Sequence, residues 1–325
     1  MNTKNLFIAV CLLLTACSQQ QNFTNPVIRS DVPDPTIILW QGRYYAAATS
    51  GDKPSAYPAF VSDDMVHWQS TGHIFPAWPE WTEGAFWAPE LFVNPNNGKT
   101  YCYYTARAKK DHISCIGVAS ADKPTGPFTD HGELVRTGNE AIDSYVFRDT
   151  DGTIYITWKA YGLTQGRPIE LLAQRLSPDG LYLEGKPFTL LTDVEDIGME
   201  GQCIVKRGNY YFLLYSARDC CSPRSDYEVR IARATSFAGP YEKYAGNPIL
   251  MGDGTDIQSC GHGTIVETAK GRMFYLCHAY EPGERWKIGR QAILQELVET
   301  KDGWLRFKTG QKTVIKQKAP KRDER

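Results

Sequence analysis

Short apolar and aromatic runs alternate along the chain with clusters of Gly, Asn, Asp and Pro. No long segment places apolar residues at i, i+3, i+4 and i+7 between helix caps, so the pattern does not favour helices. Runs rich in β-branched and aromatic residues between turn signals are typical of strands. The pairs Asn97-Gly98 and Asp151-Gly152 are strong signals for tight hairpins. The pattern therefore predicts an all-β protein.

The same pattern recurs five times, with units of about 55 residues. Each unit has a polar or charged opener, a short apolar strand, a turn that in most units contains Gly, and an aromatic strand, followed by a second pair of strands. The first strand pairs begin at Asp34, Ala88, Asp143, Glu200 and Gly261. Four strands per unit and five units predict a five-bladed β-propeller.

In a propeller, the first strand of each blade lines the central channel, so the openers should meet at one mouth. They are Asp34, Glu90 with Trp87 beside it, Asp143, Glu200 and His262. Carboxylates clustered in a partly desolvated funnel are unfavourable unless they bind a cation or share protons. Metal binding and acid–base chemistry of the kind used in glycoside hydrolysis are therefore both open. The alternative is that these acids only cap strands.

The N-terminal residues indicate export. Lys4 precedes an apolar run from Leu6 to Leu14 that is too short to span a bilayer. Leu14-Thr-Ala-Cys17 resembles a bacterial lipobox, which implies a lipoprotein signal peptide over 1–16 and lipidation of Cys17. Ser18 is compatible with sorting to the outer membrane. The expected location is the cell envelope, with membrane contact only through the lipid anchor. An ordinary secretory signal cut near Ala16 is the alternative.

Length alone suggests two domains, at ~150 residues per domain. The repeats overturn this division, because they fill nearly all of the chain after the leader. We expect a tether over 17–24, one propeller domain over 25–315 and a solvated basic tail over 316–325. No room remains for a separate carbohydrate-binding module.

Charge and aromatic content narrow the function. Lys and Arg total 36 against 37 Asp and Glu, so no basic excess favours nucleic-acid binding. Aromatic residues make up 12% of the chain, which suits both strands and sugar stacking. Three Trp residues and a Phe on the loop over 78–87 could form the wall of a sugar pocket. Trp81 and Trp87 are the expected contacts.

Seven cysteines follow Cys17, and none has zinc-finger spacing. Most are expected to be buried thiols. Cys102 and Cys115 lie on neighbouring predicted strands and could bridge. Cys220 and Cys221 are adjacent, and a bond between neighbours is geometrically unfavourable. We therefore do not expect them to pair.

Five segments together resemble glycoside hydrolase family 43, which contains arabinofuranosidases, xylosidases and arabinanases. The resemblance covers roughly residues 25–310 and also includes Tyr44-Tyr45. In chain order the segments are Val32-Pro-Asp-Pro35, Trp87-Ala-Pro-Glu90, Ile142-Asp143, Glu200-Gly201 and Gly261-His-Gly263. The departures are Ser144 and Gln202, where the family often has Pro.

The resemblance implies an inverting hydrolase of terminal α-L-arabinofuranosyl or β-D-xylosyl groups on oligosaccharides or polysaccharides, without an organic cofactor. Asp34 would be the general base and Glu200 the general acid. Asp143 would orient Glu200 and raise its pKa. Inversion requires the carboxyl groups of Asp34 and Glu200 to lie ~6.5–9.5 Å apart.

The resemblance also gives roles to two further residues. His262 would lie near the channel axis, and in some members such a histidine helps to hold calcium through water. A structural calcium is therefore possible, but direct ligation by His262 is not expected, since calcium prefers oxygen ligands. Arg290 would reach the active site, where it could bind a sugar hydroxyl or pair with Asp143. A salt bridge at the rim is its alternative.

Two other functions remain open. A retaining fructosidase-type enzyme would use Asp34 as a nucleophile, with a carboxyl separation of ~5–5.5 Å. A lipid-anchored glycan-binding propeller would need the aromatic residues but not the three acids.

Overall fold

The computed structural model describes residues 22–222, 225–252, 257–281, 288–313 and 316–319. The expected signal peptide, Cys17 and most of the tether lie outside these residues. The described residues form strands and no helix, which confirms the all-β prediction. They accordingly contain no helix that could cross a membrane.

Twenty-two strands are present in the described residues, and twenty of them form the blades. The first is β1 (Asn22–Thr24). Blade one contains β2 (Thr36–Trp40), β3 (Arg43–Ala47), β4 (Ala56–Ser62) and β5 (Trp68–Phe75). Blade two contains β6 (Trp87–Val93), β7 (Thr100–Arg107), β8 (Ser114–Ala121) and β9 (Thr129–Val135). Blade three contains β10 (Glu140–Arg148), β11 (Ile154–Tyr161), β12 (Glu170–Leu176) and β13 (Leu183–Thr192).

The remaining strands complete two blades and a terminal pair. Blade four contains β14 (Glu200–Arg207), β15 (Tyr210–Ala217), β16 (Glu228–Ala234) and β17 (Glu242–Lys243). Blade five contains β18 (Gln258–Glu267), β19 (Met273–Tyr280), β20 (Gln291–Glu299) and β21 (Leu305–Phe307). The last strand is β22 (Lys316–Lys318).

Each blade is an antiparallel sheet in which consecutive strands pair. Blades two and three are also joined by one parallel pair, Glu140 with Ser114. The first strands β2, β6, β10, β14 and β18 contact one another in that order, and β18 contacts β2. The ring is therefore closed after five blades, as the repeats predict.

The two ends of the described chain meet at the ring closure. β1 pairs with β22, so residues 22–24 and 316–318 belong to the folded body. The predicted tether over 17–24 and tail over 316–325 were too long at these positions. The repeat did not show this pairing, because it joins segments that lie outside the five units. Phe23 packs there with Val32 and Phe274, which ties blade one to blade five.

The structure decides two cysteine pairings that the sequence considered, and one of them differs from the expectation. Cys102 faces Ala119 across the β7–β8 ladder and Cys115 faces Ala106, so both remain buried thiols without a bridge. Cys220 and Cys221 form a disulfide between neighbours. They lie in the loop between β15 and β16, where the chain is free of ladder geometry and can turn to bring adjacent sulfurs together. Cys203, Cys260 and Cys277 are buried thiols, as expected.

Candidate active site

Each first strand carries a backbone irregularity at the channel mouth. At one equivalent position per blade, just before β2 in blade one and within the first strand of the other blades, φ is positive, between 40° and 58°. In blades two to five this position lies at a shift in the β-ladder register, and in blade five Ser259 has a second positive φ at the adjacent shift. The residues at the equivalent position are Asp34, Ala88, Asp143, Gly201 and His262. A positive φ costs a non-glycine residue ~1–3 kcal/mol and tends to occur at functional sites. This backbone conformation directs the side chains of Asp34, Asp143 and His262 into one cavity. Glu200, which precedes Gly201, lines the same cavity.

The cavity has a volume of about 240 Å³. Three carboxylates from blades one, three and four line it together with a histidine, an arginine, two apolar side chains and the disulfide. The lining residues are Asp34, Trp87, Ile142, Asp143, Glu200, Cys220, Cys221, His262 and Arg290. The structure thus brings together the three acids, His262, Arg290 and Trp87.

Asp34 is buried among basic groups. Its Oδ1 lies 3.1 Å from Arg290 Nη1, 3.1 Å from His278 Nδ1 and 3.4 Å from His262 Nδ1. Thr49 Oγ1 donates a 2.7 Å hydrogen bond to Oδ2. Burial by itself would raise the pKa of this carboxyl, but Arg290, His262 and His278 together hold it well below its usual range. Asp34 is therefore ionised at neutral pH.

Arg290 consequently pairs with the carboxylate of Asp34, and not with Asp143 as one reading of the sequence proposed. The reason is position: Arg290 follows the loop before β20, beside the segment that leads into Asp34. Val32 donates its backbone N–H to the carbonyl of Arg290 at 2.8 Å.

Asp143 and Glu200 form an acidic pair in which each carboxyl influences the other. Burial and the negative charges of Glu200 and Asp34 raise the pKa of Asp143 to about 6, although His262 opposes this. The backbone N–H of Gly201 donates to Asp143 Oδ2 at 3.2 Å. An added Cβ on Gly201 would lie 2.8 Å from His262 Cγ, so only glycine fits at this bulge.

Glu200 has two partners that the sequence analysis missed. Lys159 Nζ lies 2.7 Å from Oε2, with both side chains largely buried. Tyr227 donates its hydroxyl to Oε1 at 2.9 Å. Burial alone would raise the pKa of Glu200, but Lys159, with help from His262 and Tyr227, lowers it. In the free protein the net pKa of Glu200 is therefore lowered, because Lys159, a cation that the sequence analysis left out, outweighs the repulsion expected from Asp143.

His278 is the third group that the sequence analysis missed. It lies in the fully buried strand β19, and its ring stacks on Tyr227 at 5.5 Å. Burial lowers the pKa of His278 to about 4, so the ring is neutral at pH 7. Lys159 in β11 and His278 in β19 are each a charged or polar residue inside an otherwise apolar strand. This sequence signal could have identified both residues.

His262 lies between the two aspartates, with Nδ1 3.4 Å from Asp34 Oδ1 and 3.9 Å from Asp143 Oδ2. Its backbone N–H donates to Ser216 Oγ at 2.8 Å. Within the described ranges, no set of three or more His, Cys, Asp or Glu residues is arranged to hold a metal ion. Calcium held through water near His262 remains a prediction.

Two of the predicted contact residues lie away from the cavity. Glu90 is buried two residues beyond the bulge of blade two, where it accepts a 2.8 Å hydrogen bond from Thr36 Oγ1. Trp81 donates from Nε1 to Asp130 Oδ2 at 3.2 Å and packs near Tyr104. In the Trp-rich loop only Trp87 lines the cavity.

The model for "Glycosyl hydrolases family 43" matches residues 23–305, nearly all of the described chain. The chain belongs to this family.

Relatives of this family 43 protein include enzymes that act on different sugars. A xylan 1,3-β-xylosidase from a Vibrio species is 26% identical over 91% of this chain. A non-reducing end α-L-arabinofuranosidase from Bacteroides ovatus is 26% identical over 92%. The chain spans 59% and 55% of the lengths of these two proteins. A thermostable family 43 glycoside hydrolase superposes with a TM-score of 0.79 at 28% identity, covering 92% of this chain and 99% of that one.

The structure shows what replaces the family pattern at one of the two positions where this sequence departs from it. Gln202 takes the place where the family often has Pro. Its Nε2 donates to the carbonyl of Asp143 at 2.5 Å and to Thr157 Oγ1 at 3.1 Å. A proline has no side-chain amide, so here a side-chain hydrogen bond joins the channel-mouth ends of blades three and four.

Proposed function

We propose that this family 43 protein hydrolyses terminal α-L-arabinofuranosyl or β-D-xylosyl groups with inversion of configuration. The observation that carries the proposal is the convergence of Asp34, Asp143 and Glu200 in one cavity, with Asp34 held ionised. The choice of sugars is supported by the names of the xylosidase and arabinofuranosidase relatives.

Asp34 is suited to act as the general base. Its carboxylate takes a proton from a water molecule while the water oxygen bonds to the anomeric carbon from the face away from the leaving group. Arg290 and Thr49 hold the two carboxylate oxygens by separate contacts, which fixes the direction of proton transfer. A base whose pKa is held low remains ionised across the physiological pH range.

Glu200 acts as the general acid, and its proton belongs to the pair that it forms with Asp143. Interacting carboxyls lose protons in steps that describe the pair and not either residue. In the free protein, Lys159 stabilises the ionised form of Glu200, so the shared proton lies mainly on Asp143. Protonation of the leaving oxygen requires this proton on Glu200. As the glycosidic bond breaks, the proton moves to that oxygen and Glu200 becomes ionised.

A panel of aryl glycosides tests the proposal. We expect release of aryl alcohol from α-L-arabinofuranosides or β-D-xylosides, with the inverted sugar anomer appearing first by NMR. Asp34→Ala and Glu200→Ala should each lower kcat by at least ~10²-fold, in the range of lost acid–base catalysis. Glu133→Ala, at a surface ion pair in blade two, is the control and should retain activity. The assignment fails if both cavity variants hydrolyse the panel as well as wild type, and a retained anomer would refute inversion.

Attachment to the cell envelope through Cys17 is a separate proposal that rests on the lipobox resemblance. Labelled palmitate should be incorporated into the full chain and the protein should fractionate with membranes. Cys17→Ala should lose both properties. Incorporation that persists in the Cys17→Ala variant would contradict the assignment.

A further inference from the structure

The disulfide between Cys220 and Cys221 forms part of the cavity that holds the three carboxylates. Cys221 is exposed and Cys220 is half-buried, so both sulfurs lie at the surface of the cavity and not in the core. This distinguishes them from the five buried cysteines. Neither the proposed acid–base steps nor the packing of the blades uses this pair.

The loop that carries the disulfide is held by its own hydrogen bonds. Asp219 Oδ1 accepts the backbone N–H groups of Cys221 and Ser222, each at 3.1 Å. Ser225 Oγ donates to the carbonyl of Asp219 at 2.7 Å. A disulfide between neighbours also closes a small ring that removes side-chain rotation. The two sulfurs therefore present a fixed surface to the cavity.

The chemistry of this surface differs from that of its neighbours. A disulfide carries no hydrogen donor, and its sulfurs are weak acceptors but highly polarizable. With Trp87 and Ile142 it makes the apolar part of a cavity that otherwise consists of charged groups. Pyranose and furanose rings have the matching character: hydroxyls at their edges and C–H groups on a face. Charged groups can bind the hydroxyls, while sulfur and an aromatic ring can contact the C–H face.

We infer that the Cys220–Cys221 disulfide is a substrate-binding wall that contacts the C–H face of the sugar whose glycosidic bond is cleaved. The inference rests on the proposed function for the identity of the ligand as a glycoside. The proposed contact is apolar and forms no hydrogen bond with a sugar hydroxyl. It requires the disulfide to be intact.

Arg290 links this wall to the base. Its Nη1 lies 3.6 Å from Cys221 Sγ and 3.1 Å from Asp34 Oδ1. Opening the disulfide would remove one of the surfaces that position the guanidinium. The main effect should still be on binding, because Asp34 keeps its contacts with His262, His278 and Thr49.

Reduction with a water-soluble phosphine tests the wall in the folded protein. The phosphine is oxidised to its oxide with oxygen from water, and the disulfide gains two hydrogens to become two thiols. Alkylation of the native protein with iodoacetamide should then add two carbamidomethyl groups, on Cys220 and Cys221. Losing one apolar contact in a pocket is worth ~10-fold or more. We expect kcat/KM to fall about tenfold on reduction, mostly through KM, and to recover on reoxidation.

The double variant Cys220→Ala/Cys221→Ala is the matched control. It should show the lowered kcat/KM without any treatment, and the phosphine should not change it further. A reductant effect on this variant would come from elsewhere in the chain. If reduction is complete by mass and wild-type kcat/KM stays within about twofold, the wall makes no contact and the inference is overturned.

Protection by free sugar gives a readout that does not need catalysis. D-xylose or L-arabinose bound against the disulfide should slow its reduction by the phosphine, since the sulfurs would be covered. If the wild type cleaves no glycoside, the proposed function fails, and protection alone decides the inference. Absence of protection by both sugars at saturating concentration refutes the inference.

Discussion

Lys159→Met removes the cation that lowers the pKa of Glu200 while keeping a side chain of similar length. The general acid must be protonated, so activity is lost as pH rises through the apparent pKa of the Asp143–Glu200 pair. Lys159 lowers the pKa of Glu200, so its removal raises the pKa of the pair. We therefore expect the alkaline limb of the pH profile to move to higher pH.

The size of the shift follows from the 2.7 Å contact between Nζ and Oε2. At an effective dielectric constant of about 20, two unit charges at that distance attract by about 6 kcal/mol. Water that enters the vacated space compensates for much of this attraction, and hydrogen bonds to charged groups contribute a net ~1.5–3 kcal/mol. One pKa unit corresponds to about 1.36 kcal/mol, so the limb should move up by about one pH unit or more.

The assay is kcat/KM against pH, because that ratio reports the free enzyme, the state in which Lys159 and Glu200 are in contact. Lys159→Arg keeps the charge and should leave the alkaline limb near its wild-type position. Lys206→Met removes another lysine–carboxylate pair, the one with Asp149 outside the cavity, and should change neither limb. Thermal unfolding would confirm that each variant is folded. A Lys159→Met limb that stays in place or moves to lower pH refutes the reasoning.

Two further changes test other contacts of the cavity. Arg290→Met should raise the pKa of Asp34 and move the acidic limb of kcat/KM to higher pH, since the base is lost as pH falls through its pKa; an unmoved limb would show that the histidines alone keep Asp34 ionised. Gly201→Ala should lower both Tm and kcat, because its Cβ would displace His262. Gly208→Ala, with a φ of 52° and no atom within 4 Å, carries backbone strain alone, so equal losses in both variants would contradict a specific clash.

The blades and the position of the mouth could be predicted from the sequence because both depend on a repeat. Once five units are aligned, propeller geometry places their openers together whatever the intervening residues are. Asp34, Asp143, Glu200 and His262 were found in this way, and the structure places all four on one cavity. The positive φ angles near these residues could not be predicted, because nothing in the sequence pattern distinguishes an Asp or His with a positive φ from one with an ordinary φ.

The groups that set protonation could not be predicted in the same way. Lys159 comes from the second strand of blade three, and Tyr227 comes from the residue before β16. Whether such side chains reach Glu200 depends on the register shift between Glu200 and Cys203, and the repeat does not specify it. The disulfide at Cys220 and Cys221 depends in turn on a loop conformation, and a general rule against neighbouring bonds gave the wrong result there.

In blade two, the charged residue and the residue with the positive φ are not the same, unlike in blades one and three. The sequence pattern predicts Glu90 as the opener of blade two, but the residue equivalent to Asp34 and Asp143 is Ala88, which carries the positive φ. Two positions further along, Glu90 is buried among blades, and burial raises its pKa to about 8. It therefore remains mostly protonated near neutral pH and adds little charge to the channel. Blade two instead contributes Trp87 to the cavity, so charge is supplied by the other blades and the aromatic surface by this one.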